Sequence, residues 1–198
     1  MQAVQNPLKT EKVSKLLRTF AIPSIIAMLV SALYNIVDQV FIGWSIGALG
    51  NAATNVAFPL TTICIAIALM FGIGGASAFN LTMGEGDAKR AAFYVGNAIS
   101  MLVICGVVLC IVAHLFLTPM LRFFGSTQDI LGYARTYTAI TAFGFPFLIL
   151  ATGGGHLIRA DGSPRFTMTC NLVGAIINLI LDLSLIHISE PTRPISIS

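Results

Sequence analysis

A chain of 198 residues that is 56% hydrophobic and only 10% charged departs from ordinary soluble domains, which are about 45–50% apolar and roughly 25% charged. Its mean hydropathy of +0.88 places it in a membrane. The net charge of +3 is spread between apolar runs rather than gathered on one face, so it leaves no nucleic-acid footprint.

Five apolar runs, residues 22–50, 52–84, 91–118, 137–158 and 166–183, come up to the ~20 residues that a helix needs to cross a bilayer. They predict an all-α membrane protein with five spanning helices. The first run is too long for a cleaved signal peptide and lacks a small-residue cleavage site, so it should remain as a helix. Lys9, Lys12, Lys15 and Arg18 precede it, Lys89 and Arg90 follow the second run, and Arg159 and Arg165 follow the fourth. The alternate connections carry only Arg122 and Arg135. By the positive-inside rule the N-terminus is cytoplasmic.

In chain order, residues 1–15 read as a cytoplasmic tail that leads into helix one near Ser14. Pro23, Pro59 and Pro146 fall in or near spans, where a proline frees a carbonyl and kinks the helix, making them candidate hinges. Gly72 with Ala76, and Gly74 with Ala78, stand four apart, a spacing that lets another helix approach closely. In "GEGDAKR" Asp87 is placed to cap the helix starting near Ala88. His114, near the end of the third span, reads as an interfacial side chain. "PMLRFFGSTQDI" reads as a short interfacial helix and a turn, with Asp129 a cap for helix four. Arg159 and Asp161 belong to a tight turn whose reversal is fixed by Gly162 and Pro164. Cys64, Cys105, Cys110 and Cys170 show no CxxC or CxxH spacing and read as small buried hydrophobes.

After Leu183 the composition changes, and Pro191 and Pro194 forbid a continued helix. "LIHISEPTR" resembles the conceptual translation of sequencing-adapter DNA, so residues 184–198 are expected to be a non-native tail in which His187 and Glu190 carry no chemistry.

A carboxylate at the centre of a bilayer costs about 2.5–3.5 kcal/mol on insertion scales, which makes an intramembrane aspartate a functional candidate. Two qualify. Counted from Leu16, Asp38 lies ~33 Å along helix one; counted from Arg165, Asp182 lies ~25 Å along helix five. Both fall in the outer half of the membrane. Asn35 shares a helix face with Asp38, as Asn178 does with Asp182. Hard oxygen ligands of this kind suit Na⁺, while a carboxylate partly removed from water can carry H⁺ instead. The other reading is that both aspartates are solvated near the outer interface. No HExxH, GxSxG or phosphate-cradling loop occurs, and "ATGGGHL" lacks the lysine and hydroxyl of a P-loop, so no enzyme, catalytic residue or cofactor is expected.

The stretches "YNIVDQVFIGWSIGALG", "NVAFPLTTICIAIALMFGIGGASAFN", "GEGDAKRA", "IRADGSPRF" and "NLILD" together resemble the multidrug and toxic-compound extrusion (MATE) transporters. The resemblance covers residues 14–183 and implies a twelve-helix transporter in two six-helix lobes, of which residues 16–183 would be most of the N-terminal lobe. It implies a cation site at Asp38, Asn178 and Asp182, with Asn35 auxiliary and the coupling ion Na⁺ or H⁺. It also implies small organic, often cationic substrates, a multi-pass place in the inner membrane among its lipids, and dependence on the missing remainder of the transporter. A lipid-linked precursor flippase of the same superfamily ranks lower, because the spans lack a central Arg or Lys. A noncatalytic membrane scaffold would have no evident use for the carboxylates.

Overall fold

The computed structural model describes residues 12–189; side chains at some helical positions in that range, Pro23 and Asp182 among them, lie outside the description, as do Lys9, Glu190, Pro191 and Pro194. The described chain is helical from end to end. The elements are α1 (Val13–Ile46), α2 (Ala48–Gly84), α3 (Ala88–Leu115), α4 (Leu117–Phe123), α5 (Gln128–Ala142), α6 (Phe145–Ala160) and α7 (Pro164–Ser189). They form two compact units. One holds α1 up to Phe41 together with α7, and the other runs from Ile42 to Ser163.

Local sequence explains most of the boundaries. α1 and α2 part at Gly47, whose φ of 78° is left-handed. Asp87 caps α3 by accepting the Arg90 N–H at 2.9 Å, satisfying one of the donors that a helix start leaves open. α6 ends in a Schellman turn: the Ser163 N–H reaches back to the Ile158 carbonyl at 3.2 Å and the Gly162 N–H to Arg159. Gly162 sits at φ 85°, a conformation that glycine adopts without the penalty a Cβ would bring. The same pattern closes α2 at Gly86 and α4 at Gly125.

Among the described residues three helices are long and apolar enough to cross a bilayer on their own: Ala48–Gly84, Ala88–Leu115 and the Pro164–Leu181 part of α7. The fourth span differs from the single helix that residues 137–158 predict. It consists of α5 and α6, bent by 56° at a break of two residues, Phe143 and Gly144. Pro146 has no N–H to give to Ala142, so the i→i−4 ladder cannot run through. The chain turns over instead, with the Phe143 N–H on Ile140 and the Gly144 N–H on Thr141. α1, expected as the first span over the run 22–50, starts at Val13 and stops at Ile46, and among the described residues its apolar stretch Met28–Trp44 is shorter than a crossing helix. α2, by contrast, continues unbroken through Pro59. Asp129 is not the cap of the fourth helix. Thr127 holds the N-cap position, and Asp129 lies inside the first turn of α5. α7 remains helical to Ser189, six residues past the point where the apolar run was expected to end.

In the second unit the core is built from Leu60, Cys64 and Ala68 of α2, Ala98 and Leu102 of α3, and Phe145, Ile149 and Leu157 of α6. The helices approach at glycines. A Cβ on Gly72 would stand 2.7 Å from the Gly153 Cα, and one on Gly106 would stand 2.7 Å from the Pro146 Cα. Gly74 takes no part, because it is exposed and has open space around it. Gly75, one residue on, faces Ala98 and Leu157 instead. Of the cysteines, Cys64 is buried, Cys105 and Cys110 are half-buried and Cys170 is exposed, and all are free thiols. Cys170 therefore departs from the buried reading.

Candidate functional site

The polar residues that sequence places in the membrane sit on the two helices of the first unit. α1 carries Asn35 and Asp38, and α7 carries Asn178 and Asp182. Asp38 and Asn178 are half-buried, whereas Asn35 is exposed. Each of these three is engaged by a partner, as is Gln39 beside Asp38. The Asp182 side chain lies outside the described residues, so the helical backbone alone places it.

Depth follows from how the helices begin. The first turns of α1 and α7 line one cavity, with Ser14, Lys15 and Arg18 on one side and Arg165 on the other. The N-terminal ends of the two helices therefore lie together. From that shared end Asp38 is 20 residues beyond Arg18, while Asn178 and Asp182 are 13 and 17 residues beyond Arg165. At 1.5 Å per residue these are axial rises of ~30, ~20 and ~25 Å. The carboxylates thus stand at comparable heights on two helices that start at the same end. The set consists of carboxylate and amide oxygens, ligands that suit Na⁺ and, through the carboxylates, a proton. Among the described residues no three His, Cys, Asp or Glu side chains gather into a transition-metal site.

One polar residue with a structural role was not legible in the sequence. His114, at the end of α3, places Nε2 3.1 Å from the Ala139 carbonyl and Nδ1 2.8 Å from the Cys110 carbonyl. Its ring lies 4.3 Å from that of Phe143. In an unbroken helix the Ala139 oxygen would receive the Phe143 N–H, but that donor has turned to Ile140. His114 therefore meets a carbonyl released by the break between α5 and α6. No signal in the sequence could have shown this, since its partner is 25 residues away.

The MatE family model matches residues 23–183, most of the chain. The chain belongs to the MatE family. Among curated relatives it is 24% identical over 186 residues to the probable multidrug resistance protein YoeA of Bacillus subtilis, covering 91% of this chain and 40% of that protein. It is 27% identical to the FAD transporter of Shewanella oneidensis over 88% of this chain and 38% of that protein. It is 26% identical to the multidrug export protein MepA of Staphylococcus saprophyticus over 84% of this chain and 37% of that protein. Among solved structures, the MATE multidrug transporter DinF-BH, in complex with a dye, superposes with a TM-score of 0.84 at 36% identity, covering 92% of this chain and 41% of that one. The chain thus spans about 40% of the length of these MatE relatives. The membership and the apolar spans make it a multi-pass membrane protein with the fold of part of a MATE transporter.

Proposed function

We propose that this chain is the N-terminal part of a cation-coupled antiporter that exports small organic, often cationic, compounds across the inner membrane, with its N-terminus in the cytoplasm. Asp38, Asn178 and Asp182 bind the coupling ion, Na⁺ or H⁺, and Asn35 assists. The observation that carries the reading is the comparable height of Asp38 and Asp182 on α1 and α7, whose N-terminal ends share one cavity, with Asn178 one turn below Asp182. The relatives named multidrug proteins, and the dye complex of DinF-BH, support export of organic compounds.

Binding of the cation from outside neutralises carboxylates held partly out of water and shifts α1 against α7. That shift releases the substrate; discharge of the ion inside resets the transporter. Asp38→Asn in the complete transporter should lower cation-driven efflux at least ~10-fold, the loss that corresponds to ~1.4 kcal/mol of coupling, with protein in the membrane unchanged. Efflux at the wild-type rate would refute the role of Asp38.

A further inference from the structure

Near the end of α3 a thiol and an imidazole meet in a geometry that hydrogen bonding alone does not satisfy. Cys110 and His114 stand four residues apart and so share a helix face. Cys110 Sγ lies 3.8 Å from His114 Nδ1, and the Cys110 carbonyl oxygen lies 2.8 Å from the same nitrogen. On the other side of the ring, Nε2 is 3.1 Å from the Ala139 carbonyl of α5. A neutral imidazole carries one proton and each carbonyl only accepts, so one of the two nitrogen–oxygen contacts has no proton in it. With the proton on Nε2, the ring is fixed to Ala139 and the Nδ1 lone pair is left beside the Cys110 sulfur and oxygen. A cation among these three atoms relieves the contact.

This is the arrangement of a metal-binding histidine, whose non-ligating nitrogen donates to a backbone carbonyl or a carboxylate and thereby fixes the tautomer. Bonds of ~2.3 Å to sulfur and ~2.0 Å to nitrogen give an S···N separation of ~3.5 Å at a tetrahedral angle and ~4.3 Å when the ion is linear. The observed 3.8 Å lies between them. The donors select the ion: a thiolate and an imidazole favour Cu(I) and its heavier relative Ag(I), whereas Mg²⁺ and Ca²⁺ take oxygen ligands. Two or three ligands satisfy these monovalent ions, while structural Zn²⁺ takes four. Both side chains are half-buried and lie within two turns of Leu115, where α3 ends. An ion therefore reaches them from the membrane surface without crossing the apolar span.

We propose that Cys110 Sγ and His114 Nδ1 form a binding site for a thiophilic monovalent cation, Cu(I) or Ag(I). On binding, a metal–sulfur and a metal–nitrogen bond form, the Cys110 thiol proton passes to solvent, and no electron is transferred. The bound ion holds the ring in the tautomer that donates to Ala139, which tightens α3 against α5 beside the break at Phe143 and Gly144. The site is independent of ion coupling and would exist whether or not Asp38 binds a cation.

The test uses silver nitrate and the full chain in detergent, in a Cys105→Ser/Cys170→Ser background that removes the other half-buried thiol and the exposed one. Native mass spectrometry counts the bound Ag⁺ while glutathione is added as a competing thiol. Cys110→Ser should release its ion at the first additions. Loss of even an outer-shell partner weakens metal binding about 10–100-fold, so His114→Gln, which loses a ligand, should release Ag⁺ at a glutathione concentration at least ~10-fold lower than the background chain does. Release at the same concentration would mean that the sulfur acts alone, and the site would be refuted. Millimolar Zn²⁺ should not displace Ag⁺; displacement would overturn the choice of a soft monovalent ion. Should His114→Gln fail to fold, Cys110→Ser keeps the ring and both carbonyls in place. Ag⁺ should then raise the melting temperature of the background chain and leave that of its Cys110→Ser variant unchanged; equal shifts in the two would refute the site.

Discussion

Single side chains show how polar groups are managed in this mostly apolar chain. His114 has two ring nitrogens, and each faces a carbonyl oxygen. A carbonyl can only accept, so with its proton on Nε2 the ring donates to Ala139 and holds α3 against α5, whereas a proton on Nδ1 would go to Cys110 within α3 itself. His114→Ala would leave the Ala139 carbonyl without that donor and Phe143 without the ring packed on it. The expected cost is about 1–3 kcal/mol, read as a fall of at least ~2 °C in the melting temperature of the detergent-solubilised chain. An unchanged melting temperature would remove the clamp. Thr138 is the opposite case: it is 1% exposed and its hydroxyl has no partner. Thr138→Val keeps the shape and removes a buried unsatisfied group. The melting temperature should rise by a few degrees, equivalent to about 1 kcal/mol; a fall would mean that the hydroxyl is used.

Among elements, the close approach of α2 to α6 depends on the absence of side chains at Gly72 and Gly153. The added Cβ at Gly72 would meet backbone atoms, which cannot swing aside as a side chain could. Gly72→Val should therefore push the two helices apart and destabilise the second unit by about 1–3 kcal/mol, as overpacking does. Gly74→Val serves as the control, because it has open space; comparable losses in both variants would show that β-branching in α2, not contact with α6, is responsible. The bend between α5 and α6 is also an element-level property. The apolar run 137–158 shows how much chain is lipid-compatible, but the break is set by the absent N–H of Pro146 and the turnover of hydrogen bonds at Phe143 and Gly144. Pro59 has the same chemistry and leaves α2 continuous, so a proline alone does not decide where a span breaks.

For the whole molecule, the proposed cytoplasmic N-terminus assigns a side to each polar turn. The polar turns at 85–87 and 161–163 carry Schellman endings and lie beside Lys89, Arg90, Arg159 and Arg165, whereas the turn at 124–127 lies across one span from them. In a cysteine-free background, Glu85→Cys and Ser163→Cys should be labelled by a membrane-impermeant maleimide only from the cytoplasmic side, and Ser126→Cys only from outside. Labelling of all three from one side would overturn the span assignment. At this scale the apolar runs had already marked the fold class, since the length of a lipid-crossing helix and the cost of a charge in lipid are local properties of sequence. They had also marked Asp38 and Asp182, because a carboxylate in an apolar run is conspicuous.

The sequence by itself therefore determined the membrane class, the helical architecture, the capping role of Asp87 and the reversal at Gly162, all of which rest on spacing over a few residues or on composition. Only the tertiary structure decided that Gly72 rather than Gly74 meets another helix, that His114 reaches Ala139, and that Arg165 comes to lie with Ser14, Lys15 and Arg18. These pairings join residues tens to more than a hundred positions apart. They are fixed by how helices pack, and no local pattern of side chains encodes that.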